Sequence, residues 1–325
     1  CISMIEKKSR EYEIEDVFRT YGVLTREAGF YFYFSRKIRE LRECGHEGTA
    51  RAYASSLRSM QRYLGKKDFP FIKLSSRIIS DYQGKLLASG ICDNTIGFYL
   101  HNIKALFRKG CREMGLELPC PFRDISIKTE KTLKRSLDPV VIKTLSAIEL
   151  EKDSPLSLAR DIFMFSFYTR GMSFVDIALL KKRHVFPGEI CYRRHKTDQL
   201  MRVGINKEIS RILERYKNVP GEYIFPLFPA ERDPYAGYRS AYHRIRYSLG
   251  KISRVIGLEF PLRLHAARHS WATIAKVNGA SVHVIGECLG HTSEKTTRIY
   301  LKELDHSALD AVNNQVADFI LAVDD

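Results

Sequence analysis

Between residues 49 and 107 apolar side chains recur at three- and four-residue spacing, and this periodicity constrains the fold most, because it demands helices that each bury one stripe. From Thr49 to Leu64 the stripe is Tyr53, Leu57, Met60 and Leu64, with Arg51, Arg58 and Arg62 on other faces and Gly65 ending the run. From Asp93-Asn94-Thr95, which supply a cap, it is Ile96, Leu100, Ile103 and Phe107, with Lys104, Arg108 and Lys109 off it. Further helices are predicted over Phe30 to Cys44 and around Ile78 to Ala88, so residues 28–115 read as a helical domain, with residues 1–27 ahead of it.

The off-stripe cations belong to a larger imbalance. The 325 residues hold 53 Lys or Arg against 38 Asp or Glu, a net charge of +15, and residues 51–136 account for +10 of it with 17 basic and 7 acidic groups. Such concentration marks a surface for a polyanion, because neutralising phosphates releases counterions; solvated helix faces would carry the same residues. Arg51, Arg58, Arg62, Lys104, Arg108 and Lys109 are the candidate DNA-binding residues. With 44% hydrophobic and 28% charged residues the chain is neither a disordered tail nor a fibre. It lacks the ~18-residue apolar run of a membrane span and the apolar block of a signal peptide, so a soluble, cytoplasmic protein without a membrane partner is expected. Seven scattered cysteines with no C-x-x-C pair suggest neither a disulfide framework nor a zinc site. The sequence opens on Cys1 rather than Met, so residues ahead of it are expected.

Residues 116–136 (LELPCPFRDISIKTEKTLKRS) lose the periodicity, contain two prolines and end in Lys and Arg, which reads as a basic linker. Asp138-Pro139 opens a helix, so a second domain occupies 137–325. Buried helices are predicted on either side of Thr169-Arg170-Gly171, between Asp161 and Lys182. A hairpin follows, with one strand from Gly188 to Lys196, a Thr197-Asp198-Gln199 turn and a return strand from Leu200 to Ile205. Period-2 placement sets Arg194 and Lys196 on one face of the first strand. Helices are predicted over Ser210 to Lys217, Tyr238 to Ile256, Leu264 to Asn278, Val282 to Leu289 and Ser307 to Leu321. The fold class is mainly α, with one small β-hairpin.

Three groups near the C-terminus carry the chemistry: His265-Ala266-Ala267-Arg268, then Leu289-Gly290-His291, then Tyr300 nine residues further on. His265 and Arg268 are one helical turn apart, so both can reach one oxyanion. Each residue alone is ordinarily a satisfied polar or packing group; order and spacing together are specific. They resemble the H-x-x-R, L-G-H and nucleophilic tyrosine of the tyrosine recombinase (phage integrase) family, and a basic helical domain before the catalytic domain matches that family along nearly the whole chain. The segment YTRGMSFVD (168–176) is similar to integrases and invertases of the Bacteroides type, some of which carry an N-terminal arm-binding region that residues 1–27 would represent in remnant form.

The resemblance implies a helical core-binding domain, a mostly helical catalytic domain, double-stranded DNA as partner, a homo-oligomer (a tetramer on two DNA sites), a place at the bacterial nucleoid and no metal or cofactor. It implies that Tyr300 attacks DNA to leave a 3′-phosphotyrosyl ester that a DNA hydroxyl can reverse. Arg268 and His291 would stabilise the phosphate, His265 would shuttle the tyrosine's proton, and Lys196 would protonate the leaving oxygen. The apolar stripe Leu309, Val312, Val316 and Phe319 in the acidic tail would dock on a neighbouring protomer. One departure stands out. The family's segment reads T-G-L-R-x-S-E, and aligning Asp176 with its acidic residue puts Ser173 where the first catalytic arginine belongs. Arg170, one turn earlier, is the first substitute; Arg194 on the hairpin is the alternative. Two further readings are a type IB topoisomerase and a catalytically impaired DNA-binding accessory protein.

Overall fold

The computed structural model describes residues 29–127, 130, 136–228, 234–291 and 293–301, with backbone alone at 234–236. The expectations for residues 1–27, for the basic run at 131–135 and for the helix from Ser307 to Leu321 lie outside these residues. Contacts divide the chain between Thr132 and Leu133 into two units.

The first unit holds α1 (Phe30–Glu43), α2 (Glu47–Leu64), α3 (Ser76–Ala88) and α4 (Asp93–Glu113). Their stripes meet in a core of Phe30, Phe34, Met60, Ile79, Leu86, Leu100 and Ile103, where each buried side chain contributes roughly 1.5–3 kcal/mol. The start of α1 is capped from a distant loop: the Asp68 carboxylate accepts the backbone N–H of Tyr31 at 2.8 Å and of Phe32 at 2.9 Å. A negative group there satisfies orphan amides and opposes the positive end of the helix. The cap expected from Asp93-Asn94-Thr95 is not used: the N-cap of α4 is Cys92, whose side chain makes no cap bond, and Asp93 lies in the first turn. Two side-chain hydrogen bonds stitch the bundle, Tyr82 Oη donating to Ser59 Oγ at 2.6 Å and Asn102 Nδ2 to Ser56 Oγ at 3.0 Å.

Residues 116–127, assigned above to the linker, instead lie on this bundle. Phe122 is 2% exposed, and Leu116, Leu118, Ile125 and Ile127 pack against the same core. The prolines end the helix, but the apolar side chains still have a face to cover.

The second unit runs through α5 (Pro139–Ala147), α6 (Pro155–Tyr168), α7 (Phe174–Ala178), strands β1 (Val185–Phe186), β2 (Glu189–Arg193) and β3 (Leu200–Gly204), then α8 (Lys207–Arg215), α9 (Pro234–Val255), α10 (Leu264–Val277), α11 (Val282–Leu289) and α12 (Glu294–Arg298). Asp138 caps α5 by accepting from Val140 N at 2.8 Å, with Pro139 at its first position. Ile162, Phe163, Met164 and Phe165 bury α6 on almost every side, and α8, α9 and α10 pack around it. A smaller core of Ala272, Ile285, Leu289 and Leu301 joins α10, α11 and the segment after α12.

The strands form an antiparallel sheet in the order β1-β2-β3, with Ile190 opposite Val203 and Tyr192 opposite Met201. One strand is therefore added to the expected hairpin, and β2 stops at Arg193. Arg194 and Lys196 do not alternate along a strand face: a turn intervenes, in which Asp198 N donates to Arg194 O at 2.8 Å.

Candidate active site

The segments bearing the three motifs meet at one ring. Tyr300 follows α12, and its backbone N–H is held by Thr297 O at 2.9 Å. The His269 ring stacks on it at 4.8 Å between centroids, His291 lies at 4.8 Å, His265 meets it near edge-on at 5.3 Å, and the Arg268 guanidinium carbon is 5.2 Å from its centre. His265, Arg268 and His269 share a face of α10 because they occupy positions i, i+3 and i+4. His291 arrives from the other side because Gly290 ends α11 in the left-handed conformation, φ +63°, and His291 N then donates to Gly286 O at 2.9 Å. A Cβ on Gly290 would stand 2.9 Å from Met201 Sδ and 3.3 Å from Arg194 Nη1.

Arg268 is 5% exposed and held by the backbone around it. It donates from Nη1 to Gly171 O at 2.8 Å, and from Nη2 to Leu289 O and to His291 Nε2, the latter at 2.9 Å. Of its five N–H donors three are thus engaged, and Nε has no partner among the described residues. Burial, reinforced by Arg194, lowers its pKa to about 10, which leaves it charged at neutral pH. His291 is pushed down to about 4 by burial, then by Arg268, Arg194 and Lys196. His265 falls to about 4 through desolvation, then His269, Arg268 and Lys196, although more than a third of the residue stays open to solvent. Both imidazoles are neutral at pH 7. The cluster therefore offers fixed cationic donors, two neutral bases and a phenol within reach of one another.

Lys196 is exposed on the turn after β2, and its charge is felt by both His265 and His291. Arg194 reaches into the cluster, donating from Nη1 to Gly290 O at 2.5 Å. Arg170 sits in the left-handed conformation, φ +59°, its charge bears on Tyr192, and it precedes Gly171, whose carbonyl accepts from Arg268. The structure thus sets Arg194, the second choice from sequence, against the cluster. Ser173 takes no place beside Tyr300. It caps α7, and its hydroxyl donates to Asp176 Oδ2 at 2.6 Å while Asp176 Oδ1 accepts from His195 N at 2.8 Å, so the pair fixes the start of the turn that carries Lys196.

Sequence reasoning missed two features. His269 stacks on Tyr300 and its Nδ1 lies 3.2 Å from Tyr300 O; its spacing of four from His265 was the available signal. On α9, His243, Arg246, Lys251 and Arg254, with Arg263, line an open cavity of about 480 Å³, and their helical spacing was legible. Of the six candidates in the first unit, Arg58, Arg62, Arg108 and Lys109 are exposed, while Arg51 and Lys104 are half-buried. Arg51 is paired with Glu47 at 3.1 Å and Lys109 with Glu113 at 3.9 Å.

A mainly helical domain that aims its motif arginine and histidines at one tyrosine has the form of a DNA strand-transfer enzyme. The phage integrase family matches residues 136–306, and the phage integrase SAM-like domain matches residues 29–122. The chain belongs to the phage integrase family and is a site-specific tyrosine recombinase, which breaks and rejoins DNA. It is 26% identical over 226 residues to tyrosine recombinase XerC of Shewanella oneidensis, an overlap of 66% of this chain and 70% of that protein. Among solved structures, a lambda integrase dimer bound to a COC′ core site shares the fold with a TM-score of 0.64 at 17% identity, covering 85% of this chain and 98% of that one. A lambda integrase tetramer bound to a Holliday junction gives a TM-score of 0.60 at 16% identity, covering 90% and 85%. No helix among the described residues is long and apolar enough to cross a membrane.

Proposed function

We propose that Tyr300 is the nucleophile and that the groups around it form a phosphoryl-transfer site. The observation that carries this reading is the enclosure of the Tyr300 ring by His265, His269, His291 and Arg268. Tyr300 Oη attacks the scissile phosphorus, the bond to the 5′ oxygen breaks, and a 3′-phosphotyrosyl ester keeps the bond energy until a DNA hydroxyl attacks in reverse. The Arg268 guanidinium, with its unpaired Nε, meets the non-bridging oxygens, which gather charge in the transition state. Arg194 supplies the second guanidinium in place of the displaced arginine. His265, neutral before DNA binds, accepts the phenol proton; the incoming phosphate charge raises its basicity. Lys196 donates a proton to the leaving oxygen.

The substrate is double-stranded DNA, gripped by Arg58, Arg62, Lys104 and Arg108 of the first unit and by the basic face of α9. The working assembly is a tetramer on two sites, an arrangement supported by the likeness to the lambda integrase tetramer, with the apolar stripe of residues 307–321 exchanged between protomers at the bacterial nucleoid. The segment YTRGMSFVD (168–176) supports a Bacteroides-type integrase or invertase.

A duplex nicked next to the scissile phosphate tests the assignment by trapping the covalent adduct. Tyr300→Phe should abolish the adduct and leave DNA affinity within about twofold. Adduct formation by Tyr300→Phe rejects Tyr300 as nucleophile. Absence of an adduct with the unmodified protein would favour the accessory protein, and failure to exchange strands between two duplexes the topoisomerase.

A further inference from the structure

Thr297 has no exposed surface and lies between the two residues whose relative placement matters most. Its hydroxyl is 3.1 Å from His291 Nδ1, and its carbonyl accepts the Tyr300 backbone N–H at 2.9 Å. We propose that Thr297 is a positioning residue that accepts the Nδ1 proton of His291 and so locks the imidazole to the segment bearing Tyr300. The inference rests on the phosphoryl-transfer reading of this site.

The tautomer follows from donor accounting. His291 Nε2 lies 2.9 Å from Arg268 Nη2, and a guanidinium nitrogen can only donate. Nε2 must therefore present its lone pair, so the single proton of the neutral ring resides on Nδ1. Thr297 Oγ1 is the acceptor for that proton. This partner serves both states of the ring: when a phosphate draws Arg268 away and Nε2 takes up a proton, the Nδ1–H bond to Thr297 is unchanged. A partner on the far nitrogen that is indifferent to protonation leaves Nε2 free to change role without the ring turning, as outer partners do for metal-bound histidines.

The hydroxyl also has a prepared seat. Gly286 on α11 faces it, and a Cβ there would stand 2.9 Å from Thr297 Oγ1. The same glycine's carbonyl accepts His291 N at 2.9 Å. One glycine thus fixes the ring's backbone and makes room for the group that orients the ring. Since Gly286 is interior to a helix, alanine is locally favourable there, and an injury to the site by that change would come from the displaced hydroxyl.

Three variants of the full chain and one spectroscopic measurement test the inference. Thr297→Val keeps the shape and removes the acceptor; Thr297→Ser restores the hydroxyl; Gly286→Ala moves it. Adduct formation on the nicked duplex should slow by about 10–100-fold in Thr297→Val and Gly286→Ala, and by less than about threefold in Thr297→Ser, with DNA affinity equal in all three. Nitrogen-15 shifts of His291 should report the Nδ1–H tautomer, which Arg268 dictates, in all of these proteins, and the Nδ1–H proton should be downfield and protected from exchange in the unmodified protein and in Thr297→Ser but upfield or lost to exchange in Thr297→Val. That measurement needs no turnover, so it decides the point even if the unmodified protein forms no adduct and the functional reading falls. An Nε2–H ring in the unmodified protein overturns the inference. So does a Thr297→Ser protein as slow as Thr297→Val, or a Thr297→Val protein whose Nδ1–H proton is as downfield and as protected as in the unmodified protein.

Discussion

Gly171→Ala should damage the site from outside it, by a size that can be worked out. Gly171 has φ +74°, which costs an L-residue about 1–2 kcal/mol. An added Cβ would also stand 2.6 Å from Arg268 Cγ and 2.8 Å from Arg268 Cα. Because one of these atoms is backbone, rotating the arginine side chain cannot relieve the clash, and overpacking of this kind costs about 1–3 kcal/mol more. Gly279 is the control: its φ is +83° and nothing lies within 4 Å of its would-be Cβ, so Gly279→Ala should incur only the backbone term. The difference corresponds to a thermal midpoint lower by roughly 2–12 °C for a unit of this size. Gly171 O also accepts from Arg268 Nη1 at 2.8 Å, so the displacement reaches the guanidinium, and a shift of about 1 Å at a reacting group costs about 100-fold in rate. Scanning calorimetry and the nicked-duplex assay should therefore show Gly171→Ala both less stable and about 100-fold slower, and Gly279→Ala mildly destabilised at full activity. Equal melting of the two variants, or normal cleavage by Gly171→Ala, would refute the packing argument.

Removing Arg194 with alanine should lower the adduct rate by about 100-fold or more, whereas Arg170→Ala should cost less than tenfold; the reverse order in single-turnover kinetics would restore Arg170 as the substitute arginine. The pH dependence of stability has a defined sign. His265 and His291 titrate near 4 when folded, against about 6.5 unfolded, so between these values the unfolded chain binds more protons and stability falls as pH is lowered. Thermal midpoints from pH 7.5 to pH 4 should fall less steeply in His265→Asn and His291→Asn, and steeper profiles in those variants would contradict the burial argument.

What the sequence revealed divides by range. The mainly helical class was legible because each stripe, such as Ile96, Leu100, Ile103 and Phe107, records burial within a single element. His265 with Arg268, and His291 with Gly290, were readable because a turn of helix or one glycine fixes them locally. Long-range partners were not: Asp68 caps α1 from more than thirty residues away, and the acceptor for His195 N is Asp176 on another element. That second bond meets the chain just where β2 has ended, so the period-2 reading of Arg194 and Lys196 failed. Residues 116–127 were misread for a related reason, since proline and lost periodicity signal the end of a helix but are silent on whether the following chain lies against the core.

The bond from Ser173 to Asp176 has a consequence for how this site could change. Ser173 spends one hydroxyl on two tasks, capping α7 and steadying a buried carboxylate that grips the turn carrying Lys196 and adjoining Arg194. An arginine at 173 would end both tasks at once, uncapping α7 and loosening the turn. Under the proposed assignment, the turn that presents Lys196 and Arg194 to the phosphate depends on a serine at the position where the family places its first arginine.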